Sequence, residues 1–284
     1  MWYSLKIIRG AFAAAARNMM GTITHVETED PVAALTFDDG PHPEFTPRLL
    51  DILERYQARA TFFCVGKFAQ SHPDIVQRAA QAGHAIGNHS WDHPSFPLIT
   101  ASERRSQIRA CANAIAPFGQ RLFRPPYGHQ SVGSRLDAQW LGYQVVTWNV
   151  VLNEHLVRDA DSMADWLVNQ IQPGSVILLH DRLFDALEER YFDREPLLKA
   201  VNMLLERLGD RFRFITIPEL LRHGRPQRQN WYRKADVNWL NKLKEQQGEA
   251  RQYADASRCK RLATLPNRQS RSNETTENNS GSGV

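Results

Sequence analysis

The sequence predicts an α/β fold in which about seven parallel βα units form a barrel. From residue 32 onward, short apolar runs rich in β-branched and aromatic residues alternate with amphipathic helical patterns. This alternation is typical of parallel sheets, and seven units in one chain favour a barrel over an open sheet. The 284 residues, 42% of them hydrophobic and 23% charged, suffice for one large domain of this kind. The same composition excludes a wholly disordered chain.

The predicted elements follow from this pattern in chain order. Seven apolar runs are predicted as strands: Val32–Phe37, Ala60–Val65, His84–Gly87, Leu122–Arg124, Gln144–Trp148, Val176–His180 and Phe212–Ile217. Six helices are predicted at roughly 44–57, 73–82, 101–116, 132–140, 160–171 and 195–208. Thr100 and Glu103 have the spacing of a capping box, and Gly83 is a C-terminal helix signal. In such barrels catalytic groups lie where strands end and loops begin.

Three further segments flank this domain, which we place at residues 31–224. Residues 1–30 contain a modest basic amphipathic helix over 1–20 and a linker. Three interpretations of this helix stay open: it packs on the domain, it lies on a membrane surface, or it is a weak signal peptide. Residues 225–245 are predicted to be a basic docking segment, and residues 246–284 a disordered polar tail.

The positive charge of the chain is concentrated in its C-terminal region. The formal net charge is +4, yet residues 222–284 hold 13 Lys and Arg against 6 Asp and Glu. The first 221 residues hold 22 against 25, so the body is slightly acidic and nucleic acid is not an expected partner. Peripheral membrane contact through the basic tail or residues 1–20 stays open. Three cysteines without Cys-x-x-Cys spacing argue against a disulfide framework and a thiolate zinc site.

Two adjacent carboxylates follow the first predicted strand. Asp38 and Asp39 precede Gly40-Pro41, and in extended chain neighbouring side chains project to opposite sides. The two therefore need different partners, such that one binds a cation and the other accepts a proton. The alternative is an ordinary Asp-Asp-Gly-Pro surface turn.

A histidine pair follows the third predicted strand. His89 and His93 converge on one face if the segment forms a helical turn, with Pro94 ending that turn. Two imidazoles and one carboxylate make the open three-ligand set of a catalytic metal site. Taken alone, the pair is more often two polar surface residues.

Two more strand ends carry polar groups. Arg124 precedes Pro125 and Pro126, which lack backbone donors, so the amide of Tyr127 is the next available one. Arg124 is a fixed cation that can pair with a carboxylate. His180 ends an apolar run at the same expected edge of the sheet. Separately, each is also compatible with an ordinary structural role.

Taken together and in this order, the four motifs closely resemble those of the polysaccharide deacetylase family, carbohydrate esterase family 4. The matching stretches are Thr36–Pro41, His89–Pro94, Arg124–Tyr127 and the run that ends in His180. The resemblance extends from about residue 32 to residue 221, some two thirds of the chain, and it implies a distorted (β/α)7 barrel.

The resemblance also implies a role for each matching residue. Asp39, His89 and His93 would bind one divalent metal, usually zinc and in some members cobalt or another ion. Asp38 would be the general base, oriented by Arg124, and His180 would protonate the departing amine. The amide of Tyr127 would stabilise the oxyanion, and Trp148 and Pro126 would line the substrate site. The implied activity is hydrolysis of acetamido groups on an N-acetylated glycan.

One position departs from the family pattern. The family commonly has Trp-x-x-Asp-x-x-Asp-Trp before the last histidine, and here Val151 replaces the first Asp and His155 the second Trp. The resemblance implies that this Asp pairs with the catalytic histidine. His180 is therefore expected to be a weaker proton carrier unless Asp181, Glu154 or another carboxylate takes over.

Two alternatives to a glycan N-deacetylase stay open. The amphipathic N-terminus and basic tail favour a deacylase of a lipid-linked sugar at a membrane. Val151 is the only support for a catalytically silent member that binds metal or glycan. Family members act mostly outside the cytoplasm, which implies the cell envelope, the periplasm or the extracellular space. An uncleaved N-terminal signal instead predicts a cytoplasmic or membrane-peripheral protein.

Overall fold

The computed structural model describes residues 21–154, 157, 159–184 and 192–231, with four positions further on, 237, 238, 241 and 245. The predicted N-terminal helix and the predicted disordered tail lie outside the described residues. The chain divides into two units, Met1–Val237 and Asn238–Val284, and the elements below belong to the first. Among the described residues, no helix combines the length and apolar composition that crossing a bilayer requires.

The described elements alternate along the chain much as the hydrophobic pattern predicts. The strands are β1 (Thr22–Glu27), β2 (Val32–Asp38), β3 (Ala60–Cys64), β4 (Ala85–Asn88), β5 (Gly119–Phe123), β6 (Gln144–Val145), β7 (Val150–Val151), β8 (Val176–His180), β9 (Arg213–Phe214) and β10 (Arg225–Gln229). The helices are α1 (Phe45–Arg55), α2 (Gly66–Ser71), α3 (Pro73–Gln81), α4 (Ala101–Ala114), α5 (Val132–Trp140), α6 (Ala160–Gln170), α7 (Glu195–Leu208) and α8 (Ile217–Leu220). Thr100 and Glu103 form the predicted capping box of α4.

The main sheet is parallel and curls towards a barrel. Its strand order is β6-β5-β4-β3-β2-β8-β7, and β9 pairs with the start of β2. The predicted strand over residues 144–148 is shortened to β6, which pairs with β5, and the separate strand β7, which pairs with β8, lies just beyond the predicted range. The two edge strands of the sheet, β6 and β7, are therefore consecutive in sequence, within residues 144–151. The α/β fold with a distorted seven-unit barrel is therefore confirmed.

Apolar residues fill both faces of this sheet. All seven residues of β2 are buried, which is typical of a parallel strand covered on both sides. Leu35 and Phe37 belong to a cluster with the helices, whereas Ala34 belongs to an interior cluster with Phe63 and Val146. The alternation along β2 separates the two clusters because successive side chains point to opposite faces.

A small antiparallel pair, β1 with β10, was not predicted. The two strands pair from Thr22 with Gln229 to Glu27 with Arg225. Ile23 also forms a parallel bridge with Val146, and the Val26 amide donates to the Gly174 carbonyl at 3.0 Å. The pair therefore lies beside the stretch that joins the ends of the main sheet. The Arg225–Gln229 strand has no apolar residue to reveal it except Pro226.

Replacing Gly174 by Ala is expected to destabilise this junction. Gly174 has φ +79°, and a Cβ there would lie 1.7 Å from the Val26 carbonyl oxygen. We expect Gly174→Ala to lower the free energy of unfolding by roughly 2–5 kcal/mol, because left-handed conformation and steric overlap both cost energy. Gly142 is the matched control, with φ +82° and no atom within 4 Å of its Cβ position. Urea unfolding that shows equal losses for both variants would contradict the proposed overlap.

Candidate metal centre and active site

The carboxyl ends of β8, β2, β4 and β5, four strands of the curled sheet, bring the predicted polar residues together. Parallel register aligns Asp38 at the end of β2 with His180 at the end of β8. In the same way, the end of β4 is aligned with the end of β3 on one side and with the end of β5 on the other. The loops after these strands carry the remaining candidates, namely Asp39, His89, His93, Arg124 and Tyr127.

Asp39, His89 and His93 form the metal-type cluster of the described part of the chain. Their ligand atoms all lie within 4.8 Å of one another, and all three residues are buried. His93 Nε2 lies 3.2 Å from His89 Nε2 and 3.1 Å from Asp39 Oδ1, and His89 Nε2 lies 3.4 Å from the same oxygen. Two imidazole nitrogens and one carboxylate oxygen around a common point match a catalytic zinc site with an open position.

The two oxygens of Asp39 have different surroundings. Oδ2 accepts a hydrogen bond from the Phe184 amide at 2.8 Å. Oδ1 is buried, and no donor in the described part of the chain reaches it with hydrogen-bond geometry. A buried carboxylate oxygen without a donor is costly unless a cation satisfies it. This oxygen faces the two Nε2 atoms, so the residues present fit a metal ion.

The histidine ring of His89 is held in the form that binds metals. Its Nδ1 lies 2.7 Å from the Arg124 carbonyl oxygen. A carbonyl oxygen only accepts, so Nδ1 carries the proton and Nε2 keeps its lone pair towards Asp39. The hydrogen bond thus fixes both the tautomer and the orientation of the ring.

Left-handed backbone conformations build this cluster. Five non-glycine residues of the described part have positive φ, and four of them lie at the site: Asp39, Ser90, His93 and Tyr127. Ser90 at φ 67° and His93 at φ 65° exclude the helical turn that the spacing predicted. The imidazoles converge because Ser90 Oγ accepts the His93 amide at 3.1 Å in an irregular turn. Such uncommon conformations are concentrated at functional sites.

The expectation that Asp38 and Asp39 project to opposite sides is also wrong. Asp39 has φ 72°, so the chain leaves the extended conformation directly after Asp38. His89 Nε2 therefore lies 3.7 Å from Asp38 Oδ2 as well as 3.4 Å from Asp39 Oδ1. The carboxylates nevertheless have different main partners, as predicted, because Asp38 also pairs with Arg124.

Electrostatics keep Asp39 ionised. Burial by itself would raise the pKa of Asp39, but the neighbouring imidazoles of His93 and His89 hold that pKa well below its usual range. The carboxylate is therefore available as a metal ligand at neutral pH.

Arg124 is fully buried and holds Asp38 in place. Its Nη1 donates to Asp38 Oδ1 at 2.8 Å and to Thr36 Oγ1 at 2.7 Å, and its Nη2 donates to the Thr147 carbonyl at 2.8 Å. The guanidinium also lies 4.1 Å from the centre of the Phe63 ring. Burial lowers the pKa of Arg124 from its usual value, and the Asp38 charge opposes that shift. The pair is a rigid ionic contact shielded from water.

The Pro126–Gly128 turn forms one wall of the site. Tyr127 has φ 58°, and its ring centre lies 4.4 Å from that of His93. Gly128 packs so closely on Trp148 that a Cβ would lie 2.8 Å from the indole. Trp231 holds the same turn, since its Nε1 donates to the Gly128 carbonyl at 3.0 Å. Pro126 and Trp148 are both buried, so they support this wall.

His180, the predicted acid, is partly accessible, with 21% of its side chain exposed. Its Nδ1 lies 3.1 Å from Glu154 Oε1, and Glu154 also forms an ion pair with Arg194. Val151, which occupies the position of the family Asp, is 44% exposed on β7. The carboxylate beside His180 therefore comes from Glu154.

Asp181 lies behind the loop that carries the carboxylates. Burial raises the pKa of Asp181 to about 7; the hydrogen bond from Thr46 Oγ1 opposes this shift and the charge of Asp39 adds to it. A Cβ on Gly40 would overlap the Asp181 carboxylate, so this group packs directly under the loop.

Removing the Asp181 charge is expected to change the pH dependence of stability. Because the folded pKa of about 7 exceeds the ordinary value of 3.8, Asp181 contributes stability below pH 4 and loses this contribution as pH rises through 7. Asp181→Asn can still accept the Thr46 hydrogen bond. We expect the metal-free variant to gain stability relative to wild type between pH 4 and pH 7. Urea unfolding of both proteins at several pH values measures this gain. A plot of unfolding free energy against pH that runs parallel for Asp181→Asn and wild type would contradict the prediction. The exposed Asp210→Asn is the control, and its plot is expected to run parallel to that of wild type.

Comparison with known proteins places this geometry in a family. The model of the family described as polysaccharide deacetylase matches residues 25–146. A peptidoglycan-N-acetylglucosamine deacetylase of Bacillus cereus is 34% identical over 66% of this chain and 67% of the relative. A chitooligosaccharide deacetylase of Azorhizobium caulinodans is 34% identical over 58% of this chain and 80% of the relative. The chain belongs to the polysaccharide deacetylase family.

Solved structures of polysaccharide deacetylases share its fold. A peptidoglycan N-acetylglucosamine deacetylase in complex with a naphthalenyl N-hydroxybenzamide matches with a TM-score of 0.66 and 29% identity, over 74% of this chain and 96% of that one. A pseudoenzyme of carbohydrate esterase family 4 from Bacillus anthracis matches with a TM-score of 0.64 over 72% of this chain and 70% of that one. At 22% identity the pseudoenzyme shows a shared fold only.

The predicted site residues of this polysaccharide deacetylase lie together, and the structure adds others. Arg194 and Trp231 carry no motif, and only their contacts with Glu154, His180 and Gly128 reveal them. Thr36 could have been predicted as a site residue beside Asp38, because it precedes Asp38 by two residues in a strand and therefore shares its face.

Proposed function

We propose that this chain is a divalent-metal-dependent hydrolase that removes acetyl groups from N-acetylated sugars of a glycan. The observation that carries the proposal is the buried Asp39–His89–His93 cluster next to the Asp38–Arg124 pair. Family relatives named as deacetylases of peptidoglycan and of chitooligosaccharides support sugar N-deacetylation. The substrate class is therefore a chain of acetamido sugars.

Zinc is the metal that the donor set favours. Two imidazole nitrogens and a carboxylate oxygen suit zinc, and cobalt accepts the same ligands. A divalent ion bound there supplies a Lewis acid that polarises the acetamido carbonyl and acidifies water. An amide is a poor electrophile, so such assistance is needed at neutral pH.

Asp38 is the proposed general base. Its Oδ2 lies 3.7 Å from His89 Nε2, so it faces the metal cluster without belonging to the trio. Arg124 holds the other oxygen of Asp38 and leaves Oδ2 directed at the place where a water molecule attacks. A carboxylate so placed can take the proton of that water.

His180 and Tyr127 complete the proposed machinery. His180 stands at the end of β8, the neighbour of β2, and is the proposed donor of a proton to the departing amine. Tyr127 is held over His93 by its left-handed conformation, and its amide is the proposed donor to the oxyanion. The products would be acetate and an amino sugar.

Metal removal tests the proposal. Purified protein is expected to release acetate from N-acetylglucosamine oligomers or from peptidoglycan. A chelator is expected to remove this activity, and added Zn²⁺ or Co²⁺ to restore it. Acetate release that the chelator leaves unchanged, with metal analysis confirming removal, would overturn the role of the metal. No release from any glycan by metal-loaded protein would overturn the activity.

The two alternatives predict different outcomes of the same assay. A deacylase of lipid-linked sugars would act on those substrates and not on soluble oligomers. Of the segments that suggest membrane contact, residues 1–20 lie outside the described residues, and the basic region from residue 222 onward is described only at residues 222–231, 237, 238, 241 and 245. Location stays a prediction. A silent member would bind metal without releasing acyl groups, but the assembled set of Asp38, Arg124 and His180 argues against it.

A further inference from the structure

We propose that Trp231 is a positioning residue for the Pro126–Gly128 turn, and that the terminal strands β1 and β10 act on catalysis through it. The inference rests on the proposed deacetylase function, in which the amide of Tyr127 donates to the oxyanion. Trp231 lies beyond residues 25–146, which the family model matches, and beyond the last sequence motif, which ends at His180. None of the family motifs therefore assigns it a role.

The Pro126–Gly128 turn adopts a conformation that neighbouring groups have to hold. Tyr127 and Gly128 have φ 58° and φ 66°, so two consecutive residues are left-handed, and the first of them carries a side chain. A residue with a Cβ is disfavoured in this conformation. Two hydrogen bonds of 2.9 Å, from the Gly128 amide to the Pro125 carbonyl and from the His129 amide to the Pro126 carbonyl, close the turn on itself. These bonds do not attach the turn to the rest of the barrel.

Trp231 attaches the turn at Gly128. Its Nε1 donates to the Gly128 carbonyl oxygen at 3.0 Å, and its ring meets Trp148 edge to face, with 5.3 Å between the ring centres. Trp148 also packs against Gly128, where a Cβ would lie 2.8 Å from the indole. Gly128 is thus held by a hydrogen bond and by a pair of packed indoles. Because the backbone has only two soft dihedrals per residue, fixing Gly128 also restricts the orientation of the Tyr127 amide.

The terminal strand pair anchors Trp231 and holds the same segment at two further points. β10 pairs with β1, and Trp231 follows the last residue of β10 by two positions. Thr22 on β1 donates from Oγ1 to the buried Gln130 Oε1 at 2.8 Å. Arg135 Nη2 donates to Asn230 Oδ1 at 3.4 Å. Three contacts thus connect β1 and the end of β10 with residues 128–135, the stretch directly after Tyr127.

A displaced turn would weaken binding of the transition state more than binding of the substrate. The oxyanion exists only while the acetamido carbonyl is under attack, so its donor contributes to kcat and hardly to substrate binding. Complete loss of such a donor typically lowers the rate by about 10²–10³-fold, and a displaced donor loses part of that contribution. A residue that binds substrate would instead change KM, and a merely structural residue would lower stability without a selective loss of kcat.

Trp231→Phe keeps an aromatic ring against Trp148 but removes the hydrogen bond to Gly128. We expect it to lower kcat for acetate release from N-acetylglucosamine oligomers by about tenfold, with KM and zinc affinity within about threefold of wild type. Trp231→His restores a ring N–H donor, so its kcat is expected to be at least about threefold above that of Trp231→Phe. Trp140→Phe is the matched control, because Trp140 is 71% exposed on α5, and no change is expected in it.

Thr22→Val tests a second contact of the terminal strand pair and serves if Trp231→Phe does not fold. Val has nearly the shape of Thr but cannot donate to Gln130. Since the bond of Trp231 to Gly128 stays in place, we expect a smaller loss of kcat, about threefold, again with KM and zinc affinity unchanged.

Four results would overturn the inference while leaving the proposed function intact. They are wild-type kcat in Trp231→Phe, a loss that resides in KM alone, a loss of zinc affinity as large as the loss of kcat, and a kcat of Trp231→His no higher than that of Trp231→Phe. If Trp231→Phe does not fold, wild-type kcat in Thr22→Val overturns it. Failure of the proposed function is distinct, because the wild-type protein would then release no acetate.

Discussion

Asp38→Asn is expected to lower kcat for acetate release by about 10³-fold, within the range that general base catalysis contributes. Asn has the shape of Asp and can still accept the hydrogen bond from Arg124, which now lies 2.8 Å from Asp38 Oδ1. It cannot take a proton from water. The loss would therefore come from the proton transfer and not from a collapsed site. Acetate release from N-acetylglucosamine oligomers measures it.

Metal binding separates this effect from damage to the metal centre. Asp38 is outside the trio of Asp39, His89 and His93, so zinc affinity of Asp38→Asn is expected to match wild type. Asp92→Asn is the matched control, because Asp92 is an exposed residue of the loop that carries His89 and His93. In the described part of the chain its side chain accepts a hydrogen bond from Gln107. Full activity of Asp38→Asn would refute its role as the base. A loss of zinc affinity would show that Asp38 is itself a ligand.

Arg124→Leu is expected to lower the free energy of unfolding by about 3–5 kcal/mol, the usual cost of breaking a buried ion pair by removing one partner. Arg124 is fully buried. Leu would leave the Asp38 carboxylate without its cation and the Thr147 carbonyl without its donor. Equilibrium urea unfolding of the metal-free protein measures the change.

Two comparisons make the Arg124 prediction specific. Arg225→Leu removes an ion pair with Glu27 that is exposed on both sides, so its effect is expected to be much smaller. Combining Arg124→Leu with Asp38→Asn is expected to recover part of the loss, because the carboxylate that lacks a cation is then gone. Equal losses for Arg124→Leu and Arg225→Leu would contradict the importance of burial, and a strictly additive double variant would contradict the coupling.

Much of the fold was predictable because its strands are short, apolar and regularly separated by helices. β2 and β8 are mostly apolar, and a short apolar run between helical patterns is enough to predict a buried parallel strand. The site followed from the same regularity, since polar residues after parallel strands meet at one edge. β1 and β10 were missed because their pairing joins Thr22 to Gln229, and neither strand has a partner close in sequence.

The sequence by itself determined the family, the parallel barrel and the chemical identity of the site residues. These depend on residue type, local spacing and the order of motifs, which are all readable along the chain. Tertiary structure alone decided how Asp39 and His93 turn into one cluster, since their left-handed conformations are held by the packing around them. It also decided that Glu154 and Arg194 hold His180, across 26 and 14 residues of chain. Contacts of this kind arise when distant segments fold together, so no local pattern encodes them.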